Sequence, residues 1–392
     1  MRLVKLGLKN WKNFAKVEVE LAPRVFIIGN NGAGKSNLLD ALRFLRDIAN
    51  PKSGGMQQAI ETRGGMKKIR NFGNRRDPSI GIWAETKSDD GKDKWGYEIF
   101  LKQENNGRRR VLVKSETVTH NGEPILRRPD DKDKKDSVRL TQTALEQIAA
   151  NGSFRSLAEF FQSIKYIHTV PQLIRYGSKI KGNILQDDPF GQNFMNTIAA
   201  TDEKIRKSRL RRIDAALRKI KSTPKGSGKT NFDFEFCCDE NTGKPHLRFK
   251  YPNWRRYDMV QTEEILSDGE LRLIGLLWTL TGSHPVTLLE EPEISFNEKI
   301  ISELPNIFAD VVEGKKKGKR QQVIMSTHSY ALLEDLDIAA EEILLLHADG
   351  ENIDVVRGCD HPSIKIDMKH GVSAGTAALR YALPQYKDEL FA

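Results

Sequence analysis

The stretch GNNGAGKS, Gly29–Ser36, constrains the fold more than any other part of the chain. It is entered from a short apolar run, Val25–Ile28, and left through SNLLDALRFLRDI, whose apolar residues recur at helical spacing. It fits the pattern G-x-x-x-x-G-K-[ST] between a predicted strand and a predicted helix, the context that pattern requires. Glycines there let backbone N–H groups close around a β-phosphate. Lys35 supplies a cation for the β- and γ-phosphates, and the Ser36 hydroxyl is placed to bind Mg²⁺. The chain is therefore expected to hold a nucleotide along Asn30, Asn31, Gly32, Ala33, Gly34, Lys35 and Ser36, with Asn37 next in line. A second string, GSGKT at 226–230, fails the same test, because Thr223 takes the place of the first glycine and no strand leads into it.

Two later segments deliver polar groups from the ends of apolar strands. VTLLEEPE, 286–293, ends in paired carboxylates. In a phosphoryl-transfer enzyme Glu290 would join the Mg²⁺ shell, and Glu291 would orient or deprotonate the attacking water. Standing alone the pair would read as an ordinary acidic loop. QVIMSTHS, 322–329, carries His328, which could contact a γ-phosphate. A lone histidine is more often a satisfied polar residue; the order of glycine loop, paired carboxylates and strand-borne His gives it a chemical role. Between these, ILSDGELRLIGLL (265–277) reads as a capped helix start, with Ser267 accepting a backbone N–H and Glu270 reaching back to the Ser267 amide. A helix start beside glycine also offers free N–H groups and a positive dipole end to an anion.

With 392 residues, 38% of them hydrophobic, the chain has room for roughly two domains of ~150 residues. No apolar run approaches the roughly 20 residues that span a bilayer. MRLVKLGLKNWKNF alternates like a strand and lacks a signal-peptide core, so a cytoplasmic location without membrane association is expected. Three cysteines, two of them adjacent at Cys237 and Cys238, give neither a disulfide framework nor a metal spacing. The net charge of +10 is concentrated: residues 204–225 hold ten Lys/Arg against one acid, Asp214. Ile205, Leu210, Ile213, Leu217 and Ile220 recur there at near-helical spacing, leaving the basic side chains mainly on the other face, where they could neutralise nucleic-acid phosphates or simply be solvated. Smaller basic clusters at Arg108–Arg110 and Lys315–Arg320 look like loops.

Strands are expected over 2–8, 15–21, 25–28, 79–86, 95–102 and 109–118, then a charged loop RRPDDKDKKD, helix over 141–164 and the basic helix. STPKGSGKT, 222–230, is a linker by composition. The last third alternates helix and strand, which argues for a largely parallel sheet.

LKNWKNFAKVEVELAPRVFIIGNNGAGKSNLLDALRFL, followed by LSDGE, LLEEPE and STHS in that order, resembles the ATPases of the RecF, SMC and Rad-type group in the ABC class. YIHTVPQLIR, DDPFGQNF, LSDGELR and KHGVSAGTAALR look like stand-alone bacterial "AAA family" ATPases related to the overcoming-lysogenization-defect (OLD) defence proteins. Residues 50–160 carry little of the likeness. The resemblance implies an α/β ABC-type ATPase head, in which a mixed or parallel sheet carries the phosphate loop beside an antiparallel β subdomain and a helical insert carries the signature. It divides the chain into an N-terminal lobe (1–140), a helical insert with the basic helix (141–230) and a C-terminal lobe with signature, Walker B and switch histidine (231–392).

Carried over by position, Lys35 and Ser36 become the Walker A contacts, Glu290 the metal holder, Glu291 the catalytic base and His328 the switch histidine. Lys12 and Asn13 stand where this group places nucleotide-contacting residues, and Ser267, Gly269 and Glu270 match the signature. Glu290 replaces the usual Asp, and Asp268-Gly269-Glu270 departs from the commoner signature ending. Gln142 and Gln172 are candidates for the Q-loop glutamine. The class implies ATP and Mg²⁺ as cofactors and a homodimer, or a higher even oligomer, in which each signature caps the ATP of its neighbour.

Lys35 and Ser267 stand 232 positions apart, more than a transporter subunit has and too few for SMC arms. After His328 only about sixty residues remain, so an appended nuclease of the OLD kind is not expected. The resemblance thus points to an ATP-hydrolysing switch that regulates a separate nuclease or toxin effector in anti-phage defence. The alternative is a RecF-like DNA-binding ATPase in repair, with 204–225 on the phosphates.

Overall fold

The structure is a computed structural model that describes residues 1–71, 73, 77–104, 109–180, 182, 184–185, 187–221, 233–254, 257–313, 321–349 and 352–382. The linker STPKGSGKT, the GKKKGKR cluster and Arg108 lie outside the described residues. The chain forms two compact units, one of Met1–Lys165, His284–Glu291 and Lys317–Ala392, the other of Tyr166–Ser283 and Pro292–Lys316.

The first unit holds two sheets. One includes, in order, Asn352–Arg357, Ile343–Asp349, Arg24–Gly29, Gln322–Thr327 and Val286–Glu290. The last four of these strands are parallel, and Asn352–Arg357 pairs antiparallel with Ile343–Asp349. Parallel strands are covered on both faces and so read as unbroken apolar runs; Val25, Phe26, Ile27 and Ile28 are each at most 1% exposed. Helix Lys35–Ala49 buries Leu38, Leu39, Leu42, Leu45 and Ile48, each contributing about 1.5–3 kcal/mol by its removal from water. This packing anchors the helix whose first residue is Lys35.

The second sheet is antiparallel, in the order Phe14–Glu20, Arg2–Trp11, Ile80–Lys87, Lys94–Gln103, Val111–His120, Glu123–Arg128. The parallel and antiparallel sheets are those of an ABC-type ATPase head. The strand Glu123–Arg128 is missed by sequence, being short, polar and interrupted by Pro124. The expected helix over 141–164 is reduced to Arg155–Gln162. Upstream, Thr143 binds the Ile48 carbonyl at 3.0 Å and accepts from the Glu146 amide at 3.2 Å, and Asn151 binds the Leu145 carbonyl at 2.8 Å. Such side-chain bonds compete with the helix ladder.

The middle of KHGVSAGTAALR is internal, whereas Lys369, His370, Gly371 and Arg380 are exposed. Ala374, Gly375, Thr376, Ala377 and Ala378 are buried in helix Ala374–Ala382. A Cβ on Gly375 would lie 2.5 Å from the Leu333 carbonyl oxygen. Ser373 donates to that same oxygen and accepts from the Thr376 amide.

The second unit contains a three-stranded antiparallel sheet with Pro245–Trp254 between Asp233–Cys238 and Tyr257–Thr262. Beside it are helices Pro171–Tyr176, Glu203–Lys221, Asp268–Leu280 and Glu298–Glu313. The basic helix buries Leu210, Ile213 and Leu217 as its spacing requires, but Ile205 is 50% exposed. Among the described residues no helix is long and apolar enough to cross a membrane.

Candidate nucleotide site

Adjacent parallel strands end side by side, because register aligns Thr327 with Ile28 and Glu290 with Ser326. The carboxyl ends of such strands are where α/β sheets gather ligand-binding groups. From the first of them the chain enters the glycine loop. Gly34 adopts φ 91° at the N-cap of helix Lys35–Ala49, which has no side-chain cap and no acid in its first turn. The first-turn N–H groups of a helix start built this way can serve an external acceptor. The Lys35 ammonium, 7% exposed, donates to the Gly29 and Asn30 carbonyls at 2.8 and 3.2 Å. Asn31, Gly32 and Ser36 are exposed, while Ala33 and Gly34 are buried.

The turn between the first two strands braces this loop. Asn13 accepts from Asn37 at 3.0 Å, and the Trp11 indole N–H donates to the Asn37 carbonyl at 3.0 Å. A Cβ on Gly34 would come within 2.2 Å of Asn13 Nδ2, so glycine is required there for close approach as well as for its φ. Lys12, itself at φ 49°, pairs with Asp40 on the loop helix at 2.7 Å. Burial works to raise the Asp40 carboxyl, but the Arg63 guanidinium and the Lys12 ammonium outweigh it and hold the group below the usual carboxylate range. Trp11 and Asp40 are bracing residues that motif reading overlooks. Their only signal is position, Trp11 within LKNWKNF and Asp40 one turn beyond Ser36.

The Ser36 hydroxyl donates to Glu290 Oε1. A hydroxyl and a carboxylate oxygen side by side are the hard ligands that Mg²⁺ takes from a protein, the rest of its shell being water and phosphate. Glu291 follows in the left-handed region, φ 42°, with its amide donating to the Ser326 carbonyl at 3.1 Å and to Ser326 Oγ at 3.3 Å. Its carboxylate lies 3.3 Å from His328 Nδ1. A strained non-glycine backbone persists only where its surroundings impose it, and such positions cluster at active sites. Lys35, Ser36, Glu290, Glu291 and His328 all belong to the first unit.

Ser267, Gly269 and Glu270 belong to the second unit. Helix Asp268–Leu280 starts at Ser267 with both halves of the capping box formed. Glu270 Oε2 accepts from the Ser267 amide at 2.8 Å and from its hydroxyl at 2.9 Å, so the hydroxyl proton is already committed locally. Ser267 is exposed, Gly269 half-buried. Asp268 is held by Gln172 Nε2 and by Arg175 Nη2, each at 2.8 Å. Gln142 offers its backbone carbonyl to Arg128 at 2.9 Å.

On the basic helix the expected outward face is partly turned inward. Arg206 lies 4.6 Å over the Phe236 ring and Arg209 5.0 Å over Trp278. Guanidinium planes favour stacking on rings over full exposure. Lys204, Lys207 and Arg211 remain exposed.

A profile of the family described as "AAA domain, putative AbiEii toxin, Type IV TA system" matches residues 24–334. The DNA replication and repair protein RecF of Nostoc sp. is 28% identical over 156 residues, 40% of this chain and 35% of that protein. RecF of Colwellia psychrerythraea is 48% identical over 46 residues, 12% of either chain. The aligned part thus spans about a third or less of those relatives. Among solved structures, the SMC head bound to the C-winged helix domain of ScpA aligns at TM-score 0.52 and 16% identity, covering 91% of this chain and 98% of that one. The SMC head domain from Thermotoga maritima aligns at TM-score 0.48 and 17% identity, covering 91% and 99%.

Proposed function

The chain belongs to the family described as "AAA domain, putative AbiEii toxin, Type IV TA system", as a RecF/SMC-like ABC-class ATPase, and from that premise we propose an ATP-driven dimerising switch. The observation that carries the reading is the meeting of Ser36 with Glu290 and of Glu291 with His328 at the ends of adjacent strands. In this reading Lys35 binds the β- and γ-phosphates, and the loop amides from Asn30 to Asn37 surround the β-phosphate. Lys12 and Asn13 flank the nucleotide. Mg²⁺, when bound, would be held by Ser36 and Glu290 and would neutralise charge between the β- and γ-phosphates. Glu291 takes the proton of the attacking water, and His328 orients Glu291 from 3.3 Å.

Neither chain completes the pocket alone: Ser267, Gly269 and the start of their helix meet the ATP of a second copy, with Glu270 yielding the Ser267 hydroxyl. Closing and opening of that dimer controls a separate nuclease or toxin effector in anti-phage defence, in the cytoplasm. The toxin–antitoxin wording of the family description supports that context. Glu291→Gln should bind ATP, stall before hydrolysis and accumulate as a dimer on size exclusion, whereas Lys35→Ala should stay monomeric. A Glu291→Gln chain that remains monomeric with ATP removes the mechanism.

Exposed Lys204, Lys207 and Arg211, with the likeness to RecF, favour a second reading as a clamp on DNA. It requires duplex affinity that falls steeply with salt, with the salt slope reduced by about one per phosphate contact when Lys204 and Arg211 become Ala. Unchanged affinity in that double variant removes the clamp.

A further inference from the structure

The signature helix carries a liability that its sequence does not resolve. Asp268 occupies its first position, and Glu270 its third. The first-turn amides of a helix have no intrahelical acceptor and attract anions, yet a carboxylate among them repels an incoming phosphate. Glu270 spends its charge on the Ser267 amide and hydroxyl. Asp268, its side chain 41% exposed, is answered from helix Pro171–Tyr176 by Arg175 Nη2 on one oxygen and Gln172 Nε2 on the other, each at 2.8 Å. Arg175 is 13% exposed and is fixed by a second bond of 2.6 Å to the Leu266 carbonyl, two residues before the helix. Nearby, Lys179 pairs with Glu264 at 2.9 Å.

We propose that Arg175, supported by Gln172, is a positioning residue that neutralises Asp268 and so makes the Ser267–Gly269 helix start receptive to the triphosphate of a second copy. The proposal rests on the dimer reading above. Asp268 is tolerated in the signature because Arg175 is there. A merely structural Arg175, tying its helix to the signature helix, would make no such link between its own loss and the charge on Asp268.

The test uses the full chain carrying Glu291→Gln, with the ATP-dependent dimerisation constant read by analytical ultracentrifugation. Adding Arg175→Ala should weaken the dimer about tenfold or more, about 1.4 kcal/mol per tenfold. Adding Asp268→Asn to that variant should recover most of the loss, while Asp268→Asn alone should tighten the dimer severalfold. ATP affinity of the monomer, measured with a fluorescent analogue at low protein concentration, should not move. Should Arg175→Ala fail to fold, the Asp268→Asn dimer alone decides, and a looser dimer overturns the proposal. A dimer indifferent to Arg175, or a defect that Asp268→Asn does not relieve, also overturns it. A Glu291→Gln chain that never dimerises overturns the switch and this inference together.

Discussion

Two helices of this chain start beside glycine and are both proposed to meet a phosphate, yet their first turns are built in opposite ways. Helix Lys35–Ala49 has a left-handed glycine as N-cap, no side-chain cap and no acid in its first turn. Helix Asp268–Leu280 has a complete capping box and two acids in its first turn. The first has no side chain capping its amides; the second satisfies much of itself. An open helix start binds an anion constitutively, whereas a self-capped one binds only when an arriving anion displaces internal partners. In the dimer proposed above, a site that closes and opens with hydrolysis gains from the second design. A third start, that of helix Gly55–Glu61, shows the closed extreme, where the Met56 amide donates to the buried Glu146 carboxylate at 3.1 Å.

The comparison can be broken first at the open helix. Lys35→Ala should reduce ATP turnover on the order of 10²–10³-fold, the scale of losing one charge-stabilising donor. Turnover near that of the parent in a steady-state phosphate-release assay would mean the loop is not the hydrolytic site.

Glu146 sharpens the closed extreme. Burial raises its carboxyl to about 7 despite bonds from the Thr143 and Met56 amides. Because the folded value exceeds the unfolded one, the native state holds the proton longer. Stability from this group is then fully present below about 4.5 and is lost as pH rises to about 7. The full swing is on the order of 3 kcal/mol at most. Urea midpoints across pH 4–8 should fall for the parent and fall less for Glu146→Gln; parallel curves would show that Glu146 does not titrate in this window.

Gly34→Ala should cost ~1–2 kcal/mol from the left-handed backbone alone and should also loosen ATP binding by displacing Asn13. Adding Asn13→Gly should return the steric part and leave the backbone part. Smallest is Ser267→Ala, about 1 kcal/mol of helix-cap stability by thermal melting, with monomer ATP affinity untouched. A loss of monomer affinity there would erase the distinction between the two helix starts.

Local chemistry made the core legible. The glycine loop, its flanking strand and helix, and the apolar strands ending in Glu290 and Thr327 each follow from residues adjacent in the chain, and they fall where spacing puts them. The strands Glu123–Arg128 and Tyr257–Thr262 were illegible, because the pairing of polar strands is decided by neighbours distant in sequence. The 141–164 region went wrong for a related reason: Thr143 and Asn151 exchanged helix bonds for contacts that include the carbonyl of Ile48.

The sequence by itself determined which residues could bind a triphosphate, since the geometry of a glycine loop is encoded within eight residues. It also determined that Ser267 and Glu270 would form a box, because their partners lie three positions apart. Only the tertiary structure decided that Asp268 would be neutralised, that Asn13 would lean on Gly34, and that Arg206 and Arg209 would stack on aromatic rings rather than face outward. The division follows range: bonds within one turn of chain are written in local spacing, whereas a charge or ring brought from tens of residues away is set by how the buried faces pack.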